Sequence, residues 1–388
     1  MTVADPGLTE RDAWIALASV PGVGERTFWA LIERYGGAAA IFSEVAAGKR
    51  IEAGEARLTA LASKGLRAAA REPLAVGRRL NEMSLWTITP VDQGFPERLR
   101  ILDPPPAVLH GWGDRSAIGA PTMVAVVGTR RPTPAARVLA ASIAKRLTEV
   151  GAVVVSGLAI GIDGAAHAAT VAAGGRTVAV IGGGHAHPGP RAHRALVQAL
   201  LGQSGAVVSE HPPDGVPTKG TFPRRNRIIS ALADATIVVE APARSGALIT
   251  ARLALEQGRP VLVAPGRPGD PATAGCLGLL RDTPARPLVG LDEMIVDLGL
   301  DSRVSEAGAR APRLSLEAAL SLLGPTERAV AARIAAGPVS PDTLVSATGL
   351  DAPVVSGALT LLLMRGWVQA MGPSYLPAGP LLAAPRSS

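Results

Sequence analysis

The sequence predicts an α/β fold with a doubly wound parallel sheet, and three observations predict it. Six short apolar runs rich in Val, Ile and Ala lie at residues 124–127, 152–155, 177–181, 206–209, 235–239 and 260–263. Stretches of helical character fill the intervals, at 134–149, 165–173, 191–201, 225–233 and 246–257. The runs are continuously apolar, as strands covered on both faces must be. Strand–helix alternation of this kind pairs strands in parallel through right-handed crossovers, which makes the sheet Rossmann-like.

The flanking segments follow in order. Residues 1–80 read as a small helical domain, with Trp14, Ile15, Leu17 and then Phe28, Leu31, Ile32 at helical spacing. Between those two runs lies Val20-Pro21-Gly22-Val23-Gly24. It is either a tight helix–helix turn or a helix-hairpin-helix element whose backbone N–H groups meet a DNA phosphate. The core spans 81–298 and opens with a connecting layer, where Trp86–Thr89 is a strand and Pro104-Pro105-Pro106 a rigid turn before Val108. Residues 299–320 turn to Ser, Arg, Gly, Pro and Ala and read as a linker. Residues 321–378 hold an amphipathic helix over 321–335, a short helix ended by Gly349, a third over 352–365, and a small ribbon. That is a winged-helix domain, followed by a tail at 379–388. The third helix is built of Ala, Pro, Val, Ser, Gly, Leu, Thr and Met, which suits a protein-contact or structural wing better than a DNA reader.

A length of 388 residues calls for two or three domains. Aromatics make up only 3%, so Ala, Val, Leu and Gly must fill the core. No apolar run reaches the roughly 18 residues of a membrane span, and the first residues lack a basic stretch followed by an apolar one. Cys276 is the single cysteine, so no disulfide forms within the chain. A cytoplasmic protein without membrane contact is expected. Net charge is +7, and residues 81–300 hold 21 basic against 17 acidic residues, a surplus of four. The nine residues 219–227 alone carry four basic side chains and no acid, equal to that surplus. A local patch of this kind points to a polyanion more strongly than overall charge does. Because 35 of the 39 basic residues are Arg, scattered arginines elsewhere are read as solvated surface.

The chemistry gathers at strand ends. The run 124–127 ends in Gly128-Thr129-Arg130, which places Arg130 at the carboxyl edge of the sheet, where ligands of open α/β sheets collect. The next strand leads into Ser156-Gly157-Leu158-Ala159-Ile160-Gly161-Ile162-Asp163-Gly164. That loop opens a helix, whose free N–H groups and dipole suit a phosphate. Its glycines are spaced G-x-x-x-G-x-x-G, unlike a dinucleotide fingerprint, and no phosphate-loop lysine motif occurs. Asp163 and His167 share a helix face and form either an acid–base pair or, preferably, a bond that fixes the loop. Glu240 ends a strand at the same edge, as a catalytic acid or as an acceptor for the Ser245-Gly246 turn. Phe222, inside the basic run, stacks on a base or plugs the core. His185, His187 and His193 lack the carboxylate or thiolate partners of a metal site, and no metal or other cofactor is expected.

Four stretches together carry a resemblance: Val127-Gly128-Thr129-Arg130; Ser156-Gly157-Leu158-Ala159-x-Gly161-Ile162-Asp163-x-x-Ala166-His167; Phe222-Pro223-x-Arg225-Asn226-Arg227; and Val239-Glu240-Ala241-x-x-x-Ser245-Gly246-x-Leu248-Ile249-Thr250. In order and spacing the chain resembles the DNA-processing protein A family (DprA, also called Smf). The resemblance implies a homodimer without catalytic activity that binds and protects single-stranded DNA and loads the RecA recombinase onto it, in natural transformation or recombination. It implies a DNA-binding set of Gly128, Thr129, Arg130, Ser156, Gly157, Ala159, Gly161, Lys219, Phe222, Arg225, Asn226, Arg227, Ser245 and Gly246, with Asp163, His167 and Glu240 fixing loops. Two loops depart from the family pattern: Gly182–Pro188 lacks its Asp and Tyr, and 275–280 lacks its Asn. A rival reading takes Gly157, Asp163 and Glu240 as the edge of a nucleotide-binding N-glycoside hydrolase.

Overall fold

The computed structural model describes residues 8–54, 58–300, 316–337, 339–371, 374–378 and 381. Residues 1–301 pack as one compact unit and 302–388 as a second.

The first unit begins with helices α1 (Glu10–Ala18), α2 (Glu25–Tyr35), α3 (Ala38–Ala46), α4 (Ala60–Arg71) and α5 (Ala75–Glu82). Thr9 and Thr59 start α1 and α4 by accepting the N–H groups of Asp12 and Ala62 on their hydroxyls. Trp14, Phe28, Leu31, Ile41 and Leu66 are buried among these helices. Two tryptophans also tie them to the connecting layer: Trp14 Nε1 donates to Ala107 O at 2.7 Å and Trp29 Nε1 to Pro105 O at 2.9 Å.

Then come β1 (Trp86–Ile88), α6 (Glu97–Arg100), β2 (Leu109–Gly113), β3 (Met123–Val127), α7 (Pro134–Glu149), β4 (Val153–Ser156), α8 (Ile162–Ala172), β5 (Thr177–Val180), α9 (Arg194–Gly202) and β6 (Ala206–Ser209). α10 (Thr221–Leu232), β7 (Ala235–Val238), α11 (Gly246–Glu256), β8 (Val261–Val263), α12 (Ala274–Asp282), β9 (Arg286–Pro287) and α13 (Leu291–Asp297) complete the unit. One sheet runs β1-β2-β6-β5-β4-β3-β7-β8-β9. β3 to β9 pair in parallel, including β5 with β6, while β1–β2 and β2–β6 are antiparallel. Within β3, Met123, Ala125 and Val127 pack into one core layer and Val124 and Val126 into the opposite one. That is why the strand reads as unbroken apolar sequence. α10 and α11 cover the first face, α7, α8 and α13 the second.

The doubly wound Rossmann-like sheet is as predicted. Two strands at its margins were not: β9 is two residues long, too short for any periodicity, and β2 interrupts its apolar run with His110 and two glycines.

The second unit contains α14 (Leu316–Ser321), α15 (Pro325–Ile334), α16 (Pro341–Thr348), α17 (Ala352–Met364) and the antiparallel ribbon β10 (Val368–Met371) with β11 (Ser374–Pro377). It has the expected winged-helix arrangement. The single helix expected over 321–335 is instead two. Pro325 cannot continue a helix from below, so it sits in the first turn of α15 behind Gly324. Gly349, at φ +69°, ends α16. The expected linker is helical from 316, its residues 301–315 lie outside the described residues, and so does the expected tail 379–388 apart from Leu381.

Candidate nucleic-acid interface

β3 is the strand at which chain order reverses: β4, β5 and β6 build away on one side, β7, β8 and β9 on the other. Such a switch point leaves a crevice beyond the carboxyl ends of the two diverging strands. Here the crevice has a volume of about 630 Å3 and runs between the turn after β3 and the turn after β7.

Its exposed cations are Arg130, Arg131, Lys219 and Arg244, and a fifth, Arg225, lines it from a buried position. Among the described residues none of the four exposed ones forms an ion pair. Arg130 lies with its guanidinium 5.3 Å from the centroid of the Phe222 ring. A cation–π contact at an exposed site is worth only about 0.5–1 kcal/mol, so it orients the cation without withholding it from an anion. Phe222 is half-buried and packs against Gly182, between its two expected roles.

The loop 156–164 is bolted to the turn that carries Arg130. Ile162 N donates to Thr129 O at 3.2 Å. Gly161 has φ +102°, and a Cβ there would stand 2.3 Å from Thr129 O, so only glycine fits. Ser156 Oγ donates to Val126 O at 2.6 Å. The expectation of a phosphate cradle is corrected in part. The amides of Gly157 and Ala159 donate to Asp163 Oδ2, at 3.1 and 3.4 Å. An internal carboxylate at the helix start has taken the place foreseen for a phosphate on those two donors, because the loop folds back within one turn of Asp163. Burial pushes the Asp163 carboxyl up, while Arg225 and the two amides oppose that.

Asp163 thus fixes the loop, but not through His167. His167 Nδ1 lies 2.7 Å from Thr177 Oγ1, whose hydroxyl donates to Val154 O, so His167 ties α8 to β4 and β5. Glu240 does not serve the Ser245 turn either. It accepts from Thr133 N at 2.9 Å and from Thr133 Oγ1 at 2.6 Å, and so pins the start of α7 across the crevice. Ser245 begins α11 by itself, accepting Ala247 N at 3.3 Å. Both carboxylates of the crevice are buried and bound, which leaves the hydrolase reading without a free acid at this edge.

The basic run is divided by helix geometry. α10 starts at Thr221, four residues before the expected 225, since Pro223 is tolerated in a first turn. Arg225 therefore faces inward. Its Nη1 donates to Gly157 O at 2.8 Å and to Val180 O, and its Nε to Asn226 Oδ1 at 3.3 Å. Burial pushes its pKa down to about 10, with Asp163 opposing and Arg130 adding to the shift. Asn226 Nδ2 donates to Gly246 O at 3.3 Å and couples α10 to α11. Arg227 is held by Glu25 of α2 and by Glu210. Arg225 and Asn226, expected as groove residues, do line the crevice, but as buried side chains already bonded within the protein, whereas Arg227 lies outside it. Lys219 keeps its expected place, and Arg131 and Arg244 join it unforeseen. Their signal was present, since each adjoins a strand end already singled out.

His185 Nε2 lies 2.9 Å from Val207 O and His193 Nδ1 3.0 Å from Leu158 O. Among the described residues no group of His, Cys, Asp and Glu could hold a metal ion, and no single helix is long and apolar enough to cross a membrane.

Residues 86–299 match the family model described as DNA recombination-mediator protein A, and residues 315–372 the DprA winged helix domain. The chain is 42% identical over 200 residues to the DNA processing protein DprA of Bacillus subtilis, covering 52% of this chain and 67% of that one. It is 39% identical over 248 residues to a putative DNA processing protein DprA of Mycobacterium tuberculosis, covering 64% and 62%. It spans about half, 52%, of the Smf protein of Escherichia coli, at 42% identity over 195 residues or 50% of this chain. Among solved structures, DprA of Streptococcus pneumoniae superposes with a TM-score of 0.61 at 28% identity, covering 75% of this chain and 98% of that one. DNA processing protein A of Helicobacter pylori, in a structure describing its single-stranded DNA binding mode, gives 0.51 at 31% identity, covering 56% and 96%. With residues 86–299 and the C-terminal unit both matched, the chain belongs to the DNA recombination-mediator protein A family.

Proposed function

We propose that the chain binds single-stranded DNA at the switch-point crevice, without catalysing a reaction, in the service of recombination or DNA uptake. The observation that carries this is the set of four exposed cations, Arg130, Arg131, Lys219 and Arg244, with no ion pair among the described residues, around a crevice whose lining carboxylates, Asp163 and Glu240, are already bound. Phosphate contacts supply affinity without reading sequence, and a crevice at a sheet edge admits a flexible strand more readily than a stiff duplex. The single-stranded DNA binding named for the Helicobacter pylori relative supports the same reading. The family resemblance supplies the finer part: a homodimer that hands the strand to RecA, in a cytoplasmic setting. The DNA contacts proposed are Arg130 first, then Lys219, Arg131 and Arg244, with Gly128, Thr129, Ser245 and Gly246 shaping the walls.

The test is titration of the full chain with a labelled single strand, a blunt duplex of equal length and a nucleoside monophosphate. The single strand should bind tightest. Arg130→Ala should weaken it about tenfold, as loss of a charge-assisted contact does. Its log–log salt slope should become shallower by about 0.7 for the one phosphate released, at an unchanged melting temperature. Equal affinity for duplex and single strand, or a wild-type slope in Arg130→Ala, would overturn the reading.

A further inference from the structure

The hairpin Val20–Gly24, open at the sequence level between a plain turn and a phosphate-binding element, faces the basic helix. It lines a cavity of about 250 Å3 together with Glu25, Glu210, His211 and Arg224. Gly24 begins α2 without any side-chain cap. Three positive elements therefore converge here: the uncapped start of α2, Arg224 and Arg227. The two arginines share one oxygen. Glu25 Oε1 accepts from Arg227 Nη2 and lies 3.5 Å from Arg224 Nη2.

The fit is a poor one for a purely structural ion pair. Arg227 presents a single nitrogen, shared between Glu25 and Glu210, while its Nε and Nη1 are buried with no acceptor. A structural arginine normally uses its fork in parallel bonds. Arg224 is half-exposed and, among the described residues, its ion pairing is the 3.5 Å contact to Glu25. Donor capacity at this junction exceeds what one carboxylate uses. Arg224 also directly follows Phe222 and Pro223, which line the crevice, so a strand leaving the crevice over the first turn of α10 reaches it next.

We propose that Glu25 is an internal stand-in for a DNA phosphate: it neutralises Arg224 and Arg227 and so holds back a second backbone contact beside the crevice. This rests on the reading that the crevice takes single-stranded DNA. Its charge state agrees. Burial works against the charge on Glu25, but a hydrogen bond from Glu210 and the fields of Arg227 and Arg224 hold its pKa below the ordinary carboxylate value. Burial drives the Glu210 carboxyl up to about 8. The carboxylate opposed to the arginines is thus Glu25. On this view the N-terminal helices limit how many phosphates the protein engages.

The experiment is anisotropy with a labelled oligothymidylate across a salt series, on the full chain. Glu25→Gln should bind up to about fivefold tighter at low salt, with a slope steeper by about 0.7 for one added phosphate. Adding Arg224→Ala should remove both gains. Arg224→Ala alone should change affinity less than about twofold, because its charge is already neutralised. That surface variant decides the matter even if Glu25→Gln folds poorly. If wild type fails to bind single strands, the crevice reading falls first. If wild type binds through Arg130 but Glu25→Gln keeps its affinity and slope, this inference alone is overturned. It is also overturned if Arg224→Ala alone costs as much as Arg130→Ala.

Discussion

The crevice beside β3 and helix α17 both occupy positions where proteins meet nucleic acid: the carboxyl edge of a doubly wound sheet, and the third helix of a winged-helix unit. Their side chains part them. The crevice is ringed by exposed arginines and a lysine. α17 has no charged residue among its thirteen, and Val354, Leu361, Leu363 and Met364 are exposed on it, Met364 at 80%. Phosphate neutralisation dominates nucleic-acid affinity, and an apolar helix has nothing to neutralise with. Fold position supplies a place for a ligand, and the residues at that place decide which ligand it takes.

The largest effect that sharpens this contrast falls within the crevice itself. Arg225→Ala should unfold rather than unbind. It strips the donor from the carbonyls of Gly157 and Val180 and leaves Asp163 without its neighbouring cation. Removing one member of a buried charged cluster costs about 3–5 kcal/mol. The urea midpoint of the first unit should drop, and that of the second should not. Arg130→Ala should show the reverse, binding lost with stability kept. An Arg225→Ala protein of wild-type stability but weak binding would return that residue to the groove.

The difference between these neighbouring arginines marks where the sequence stops being legible. Arg130 was visible because a β-branched run fixes the strand, and the strand end fixes the residue. The buried pair of faces on β3 explains why the sheet could be read at all. In 219–227 the string shows charge but not the helix phase, and a start at Thr221 instead of 225 turns Arg225 inward. The partner of Arg227 is out of reach for the same reason, since Glu25 lies 202 positions away. Asp163 and Glu240 were recognised as loop-fixing, but their acceptor sites could have served several donors. Only the packed chain shows that these are the Gly157 and Ala159 amides and Thr133.

A smaller effect separates the two units by pH. All six histidines fall between residues 110 and 211, in the first unit. Burial, with the charges of His185 and His211, pushes His110 down to about 3. Burial, with His193 and Arg225, pushes His167 down to about 3, and burial alone pushes His185 to about 4. An unfolded histidine titrates near 6.5, so below that value the unfolded chain binds protons that the folded one refuses. The stability these groups contribute is complete above pH ~6.5 and is lost as pH falls toward 3–4. Glu210 acts in the opposite sense: its contribution is present below the ordinary carboxylate value and lost as pH rises through about 8. Methyl NMR on acidification should therefore show the first unit opening before the second. Loss of both units at one pH would show that these histidines do not set the acid limit.

The smallest expected effect bears on α17. Leu361→Glu with Met364→Glu places two carboxylates on exposed positions of that helix, where they disturb no buried contact. If α17 faced phosphates, two added negative charges would cost a large part of the affinity and make the salt dependence shallower. If it does not, single-strand affinity should stay within about twofold, since exposed charges that face no phosphate are screened by physiological salt. The same logic applies to removing residues 320–388, which should leave single-strand affinity within a few-fold. The charge substitution is the sharper of the two, because it leaves the chain entire and asks one helix one question. A hundredfold loss in either variant would make the winged helix a DNA reader despite its neutral face, and the contrast between position and side chain drawn from the crevice would not hold.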